Sequence, residues 1–348
     1  MARAIDGIIT AAIEQRVFPG AVVQVVQDGV PLHCAAYGST MYDDPGSQPV
    51  TFDTIYDIAS LTKMFTALAA LQLCDTGRLA LDAPAAYYLP ELQATSVTVR
   101  HLLTHTSGLE VRMSSLRDLA PAAIQAAVYA VQPTHPPGTH PAYVNINTLL
   151  LGDIVERVTG GGLDAVFQTS IVDPLEMYET LFCPPPVLHS RIAPTEWDDW
   201  RGGLVHGVVH DESAYALGGI TGHAGLFSTA ADMGRFVQCW LAGGVYRNRR
   251  LLRAETVAAA TSFQGPYLRL AADPPPLYSG LGWMLNRENY MGTAPAGTYG
   301  HTGFTGPVLV VVPHHRLAVI ILSNRTYPRR GERTHLPVTA AVVAAALA

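Results

Sequence analysis

Lys63 is the only lysine in a chain of 348 residues, and the other 21 basic residues are all arginine. Arginine stays protonated at any pH near neutrality, whereas a desolvated lysine can accept a proton. The single position that uses lysine is therefore the first place to look for acid–base chemistry. It lies in Ile58-Ala59-Ser60-Leu61-Thr62-Lys63-Met64-Phe65, and an apolar helical pattern continues through Ala67, Leu68, Leu71 and Leu73 to Asp75-Thr76-Gly77. Glycine there suits a helix C-terminus. Ser60 then stands at the entry of a helix, with Lys63 one turn later on the same face. Backbone N–H groups at a helix N-terminus favour an attacking alkoxide and a developing oxyanion. The same positive end, with apolar neighbours, disfavours an ammonium and so suits lysine to act as a base. A Ser60 that merely caps the helix is the plain alternative.

The elements that must hold this pair can be read from pattern. Ala21 to Gln27 and Val30 to Tyr37 are β-branched-rich runs around Asp28-Gly29, a hairpin signal. Pro307 to Val312 and Leu317 to Ser323 form a second apolar pair around Pro313-His314-His315-Arg316. Both pairs suit an antiparallel sheet, with amphipathic segments at Met1 to Arg16 and from Val338 onward covering one face. Between the pairs lies mostly helical sequence: Leu61 to Thr76, Val99 to Thr104, Pro121 to Val131 and Asn145 to Thr159. Proline-rich punctuation falls at Pro133 to Pro141, Pro184 to Pro186 and Pro274 to Pro276. The plan is strands, a long helical insert, then strands and a last helix.

Three motifs, Ser60-Leu61-Thr62-Lys63, Tyr143-Val144-Asn145 and His301-Thr302-Gly303, occur in the order and rough spacing of the serine β-lactamase and penicillin-binding protein superfamily. The chain resembles its class C branch, which also holds D-Ala-D-Ala carboxypeptidases, D-aminopeptidases and family VIII carboxylesterases. The likeness extends over Leu102-Leu103-Thr104-His105-Thr106-Ser107-Gly108-Leu109, Gly222-His223-Ala224-Gly225-Leu226-Phe227-Ser228-Thr229 and Leu322-Ser323-Asn324. It implies an α/β (α+β) fold: an antiparallel sheet flanked by terminal helices, plus a mostly helical inserted domain. One catalytic unit would span 1–348, with approximately 1–58 and 225–348 as the α/β subdomain and approximately 59–224 as the helical one.

The resemblance further implies that Ser60 forms an acyl-enzyme and that Lys63 is a neighbouring base. Tyr143 would lie above the serine and shuttle a proton to the leaving group and from the hydrolytic water. Which of Lys63 and Tyr143 takes the serine proton stays open, since a coupled pair titrates jointly. Asn145 would orient the substrate or Lys63. His301, Thr302 and Gly303 would line the opposite wall, and Phe304 would supply a backbone N–H that pairs with that of Ser60 as an oxyanion hole. One departure bears on the substrate. β-Lactamases begin the third motif with lysine, whose charge helps hold a carboxylate; His301 is mostly neutral at its unperturbed pKa. The expected substrates are small-molecule esters first, with acyl transfer as a branch, then D-amino-acid peptides or amides, then β-lactams. A catalytically silent scaffold or ligand-binding module is the alternative outside the enzymes, and it leaves three intact motifs unexplained.

Other plans fail on inspection. No serine has glycine two residues before and two after it, there is no H-E-x-x-H, and Lys63 does not sit in a Walker A loop. His206, His210 and Asp211 permit a metal site at helical spacing, but nothing else supports one, and no cofactor is expected. Net charge is −6, which gives no electrostatic case for nucleic acid. Only 14% of residues are charged and 49% are hydrophobic, so the chain is globular, yet no apolar run approaches the roughly 18 residues of a membrane span. Cys34, Cys74, Cys183 and Cys239 form no C-x-x-C and are expected to be free, mostly buried thiols. Met1 to Arg16 lacks the features of a secretory signal, so the cytoplasm is the expected location.

Overall fold

The computed structural model describes residues 1–264 and 279–348; Pro274 to Pro276 lie outside the described residues. Helix α1 (Ala2–Glu14) buries Ile5, Ile9 and Ala12, whose spacing puts them on one stripe. The hairpin of β1 (Gly20–Gln27) and β2 (Val30–Gly38) turns at Asp28-Gly29, where both residues take positive φ. A two-residue turn of that hand matches the twist of the flanking strands. Next come β3 (Tyr56–Asp57), α2 (Thr62–Asp75), two shorter helices at Val99–Leu103 and Pro121–Ala130, and α3 (Asn145–Thr159). Then follow β4 (Leu181–Phe182), α4 (Glu212–Ala216), β5 (Leu226–Ser228) and α5 (Ala230–Leu241). The chain closes with β6 (Met284–Leu285), β7 (Tyr299–Thr302), β8 (Val308–Val312), β9 (Leu317–Ser323) and α6 (His335–Leu347).

The main sheet has the order β6-β7-β8-β9-β1-β2, with every neighbour antiparallel. Its centre joins the two ends of the chain, with Ala21 opposite Ser323 and Gln27 opposite Leu317. Side chains alternate across a strand, so Val308, Val310 and Val312 face a layer with Ile5, Ile9, Val342 and Val343, while Leu309 and Val311 face the main core. Both faces are covered, which is why β8 is one continuous apolar run rather than an alternating one. The fold is thus mixed α/β, with an antiparallel sheet and terminal helices packed on it, as the resemblance implied. A smaller sheet, β3-β5-β4, runs beside the start of α2.

Helix α2 is apolar on nearly every side. Each residue from Thr62 to Leu71 is buried, and it packs against α3. Such a helix lies inside the protein rather than on its surface. The four cysteines are free, but only Cys239 is buried; Cys34 and Cys183 are exposed, contrary to the expectation of mostly buried thiols. Cys34 is exposed because β2 is the edge strand of the sheet, a position that local sequence does not encode. Among the described residues no helix is long and apolar enough to cross a membrane.

Candidate active site

Ser60 lies in a single 3₁₀ turn, Ala59–Leu61, immediately before α2, rather than within the α-helix itself. The turn differs from the simple helical entry because Ala59 adopts a left-handed φ of 46°. No side chain caps α2, so the Ser60 hydroxyl is not an N-cap. Instead Lys63 Nζ donates to Ser60 Oγ at 2.9 Å and to the backbone carbonyl of His223 at 2.9 Å. Lys63 is 1% exposed, and neither of these partners is a carboxylate. A buried amine held only by neutral acceptors, one of them a serine hydroxyl, is arranged for proton transfer rather than for an ion pair.

The carbonyl that fixes Lys63 is placed by a close approach of backbones. A Cβ on Gly222 would come within 2.1 Å of the Thr148 carbonyl on α3, and within 3.0 Å of Gly152 Cα. Thr66 Oγ1 donates to the Gly222 carbonyl at 2.7 Å. Helices α2 and α3 therefore grip the 221–226 segment from two sides. This explains the glycine before His223 in chemical terms.

Tyr143 sits between two imidazoles, with ring centroids 4.8 Å from His105 and 5.7 Å from His301, and Lys63 Nζ lies 5.2 Å from its ring. His105 is held by a chain of hydrogen bonds. Ser107 Oγ donates to Asn147 Oδ1 at 2.5 Å, and Asn147 Nδ2 donates to His105 Nδ1 at 3.2 Å. The ring is also bonded to the Val144 backbone, and the His105 carbonyl accepts from Ala142 N–H at 2.8 Å. His105 and Ser107 thus brace the loop carrying Tyr143 and do not form a triad. Burial, reinforced by the Lys63 and Arg287 charges, pushes the His105 pKa down to about 3.

Asn145, at the start of α3, turns its amide toward another partner than those expected: Nδ2 donates to Asp211 Oδ2 at 3.3 Å. Asp211 also accepts from Ser213 Oγ at 2.6 Å, lies 3.2 Å from His223 Nε2 and caps α4. Burial raises the Asp211 pKa, but His223 and the donors around it outweigh burial and hold the carboxyl well below the usual range. Asp211 therefore ties the second motif to the residue whose carbonyl binds Lys63. No local sequence pattern marks Asp211 for this role, since it lies 66 residues from Asn145.

On the opposite wall, His301 is 1% exposed, and burial together with the Lys63 charge pushes its pKa down to about 3. Its Nδ1 lies 3.0 Å from the Thr302 carbonyl, which can only accept, so Nδ1 carries the proton and Nε2 is left as an acceptor. A Cβ on Gly303 would meet the Ile58 carbonyl at 2.7 Å, so glycine is what lets β7 close on the turn that holds Ser60. The Phe304 ring stacks on His210 at 5.5 Å, with the guanidinium carbons of Arg325, Arg333 and Arg330 at 4.8, 5.6 and 5.7 Å from its centroid. None of these arginines was singled out from sequence.

His206 and His210 do not share a helix. His206 Nε2 bonds to the carbonyls of His189 and Ile192, and His210 Nε2 bonds to Glu196 at 2.6 Å. Among the described residues no group of three or more His, Cys, Asp or Glu is placed to hold a metal ion.

A buried lysine on a serine hydroxyl, a tyrosine ring 5.2 Å from that amine and a strand closing on the serine turn form an arrangement suited to acyl transfer. The family model described as Beta-lactamase matches residues 5–344, and the chain belongs to that family as a serine hydrolase. A putative D-alanyl-D-alanine carboxypeptidase of Escherichia coli (strain K12) is 32% identical over 356 aligned residues, covering 89% of this chain and 79% of that protein. A class C beta-lactamase shares the fold with a TM-score of 0.79 at 22% identity, over 98% of this chain and 95% of that one. EstCE1, a hydrolase with promiscuous acyltransferase activity, gives a TM-score of 0.79 at 20% identity over 98% of both chains.

Proposed function

We propose that the chain hydrolyses carboxylic esters through an acyl-enzyme on Ser60, and that the same intermediate can pass its acyl group to acceptors other than water. The observation carrying the ester preference is His301. It stands where β-lactamases keep a cation for the substrate carboxylate, and burial holds it neutral with a pKa of about 3. A neutral wall favours an uncharged ester over an anionic β-lactam.

In the proposed reaction Lys63 Nζ takes the Ser60 proton as Oγ attacks the ester carbonyl. The backbone N–H groups of Ser60 and Phe304 hold the resulting oxyanion, with Thr302 and Gly303 completing that edge. As the intermediate collapses, the C–O bond to the alcohol breaks, and Tyr143 relays the proton to the departing alkoxide. Water then enters, gives up its proton by the reverse route and releases the acid. Asn145 acts through Asp211, keeping the Lys63 side of the site in place.

A second reading is hydrolysis of D-alanyl peptides. The guanidinium groups of Arg325 and Arg333 beside Phe304 favour it, since they would supply positive charge next to the oxyanion residue while Arg330 is paired with Glu196 and Glu212, and the E. coli relative is named for that activity. The deciding experiment compares p-nitrophenyl esters, D-alanyl-D-alanine peptides and a chromogenic cephalosporin on the purified protein. The ester reading expects the highest kcat/KM on short esters. Faster turnover of the peptide would replace it with the second reading.

A further inference from the structure

The geometry points to Asp57 and Thr305 as positioning residues that hold the two donors of the oxyanion hole at a fixed separation. The inference rests on Ser60 being the nucleophile.

Ala59, the residue before Ser60, has a φ of 46°. A side chain disfavours that region, and such a turn persists only where its surroundings over-determine it. Asp57 supplies the constraint. Its Oδ1 accepts from Ala59 N–H at 2.8 Å and its Oδ2 accepts from His210 N–H at 2.7 Å. The next residue is tied as well, since Ile58 N–H donates to the Leu226 carbonyl at 3.0 Å. The Asp57 carboxylate therefore fixes the turn on which the Ser60 N–H is carried.

The backbone of the same residue fixes the other donor. Thr305 Oγ1 donates to the Asp57 carbonyl at 2.7 Å, and Thr305 directly follows Phe304. Asp57 thus holds the Ser60 side through its carboxylate and the Phe304 side through its carbonyl. The Gly303 approach to the Ile58 carbonyl leaves no side chain between the two segments. Asp57 and Thr305 are each 1% exposed, so they act on the reaction through the backbones they hold.

Oxyanion donors stabilise the transition state far more than the bound substrate, and their contribution depends on where they point. A loosened clamp should therefore lower acylation without weakening substrate binding. The test uses Thr305→Val, which removes the hydroxyl at constant shape, beside Thr305→Ser, which keeps it. Three quantities are measured: the acylation rate with a p-nitrophenyl ester, KM, and the inhibition constant of a boronic acid whose boronate oxygen occupies the oxyanion hole. We expect Thr305→Val to slow acylation and weaken the boronic acid by about tenfold each, with KM within about twofold and Thr305→Ser near wild type.

A folded Thr305→Val protein with unchanged acylation and boronic acid binding overturns the inference, as does a loss confined to KM. If Thr305→Val does not fold, Thr305→Ala against Thr305→Ser makes the same comparison. Fluorophosphonate labelling of the wild type distinguishes a wrong nucleophile from a clamp without effect. Failure to label Ser60 removes the nucleophile and this inference with it. Labelling at Ser60 with indifferent Thr305 variants removes the inference alone.

Discussion

The backbone carbonyl of His223 and the hydroxyl of Ser60 each lie 2.9 Å from Lys63 Nζ, although His223 is 160 residues away in sequence. The amine is thus held between a fixed acceptor and the hydroxyl whose proton it would receive. The fixed acceptor aims the nitrogen, because a carbonyl bonded to the buried ammonium remains a partner when the amine is neutral. Lys63 needs no rearrangement between its two protonation states.

Replacing Lys63 by arginine keeps the positive charge and removes the proton acceptor. General-base contributions run to about 10²–10⁴-fold, so Lys63→Arg should slow acylation by a p-nitrophenyl ester at least about 10²-fold. The larger guanidinium must also fit a site that is 1% exposed, which adds some loss of melting temperature. Pre-steady-state acylation measured beside thermal unfolding tests this. Wild-type rates in a folded Lys63→Arg protein would leave Tyr143 as the base.

Ser60 is the serine that Lys63 touches, and it is only partly exposed at the head of α2. Ser60→Ala should fold as the wild type does and accumulate no covalent fluorophosphonate adduct. Peptide mass mapping of the labelled wild type checks the same point, and an adduct on another serine would refute the assignment.

His301 faces the Tyr143 ring from a buried strand and carries no charge near neutrality. His301→Lys should raise the ratio of kcat/KM for a carboxylate-bearing ester over its neutral analogue, by about tenfold for one added charge in a partly desolvated site. The new ammonium would lie close to Lys63, so some stability should be lost as well. An unchanged ratio would mean that this side chain does not sense the substrate.

Acid should destabilise the fold through buried imidazoles. Burial, with nearby lysine or arginine charges, pushes His105, His301 and His335 each down to about 3, whereas unfolded histidines titrate near ~6.5. Below that pH the unfolded chain binds protons the folded one does not, so their contribution is complete above ~6.5 and is lost as pH falls toward ~3. Asp153 works the other way: burial pushes it up to about 7, so the folded state holds a proton that an unfolded aspartate has released above ~3.9. Near pH ~5 these four groups together give a net uptake of roughly two protons on unfolding, or about 3 kcal/mol per pH unit. Urea denaturation between pH ~7 and ~5 should show stability falling with pH, and a flat profile would contradict the assignment.

Much of this arrangement was legible in the sequence. Asp28-Gly29 marked its hairpin, the β8 and β9 runs marked the centre of the sheet, and the isolated lysine led to the Ser60 pair. These signals are local, because turn chemistry, periodicity and a helical spacing of three act within a few residues. The Ser107–Asn147–His105 chain, the Asp211 junction and the Asp57 clamp span 40, 66 and 153 residues between partners, and no local pattern reports them. The strand Tyr56–Asp57 is too short for an alternation to show. The exposure of Cys34 depends on which strand ends the sheet, which is a property of topology.

Helix α2, buried on nearly all sides, has an evolutionary corollary. Moving Ser60 or Lys63 by even a small amount would require repacking against α3 and the 221–226 segment together, so few single substitutions could do so and leave a folded protein. Residues with free space around them lie elsewhere: Tyr215 on α4, Val208 and Leu119 are at least 40% exposed. Selection for a new substrate should therefore accumulate changes in such loops and in α4, while Ser60 and Lys63 pass unaltered from one specificity to the next. Laboratory libraries directed at those loops would keep more active members than libraries directed at α2.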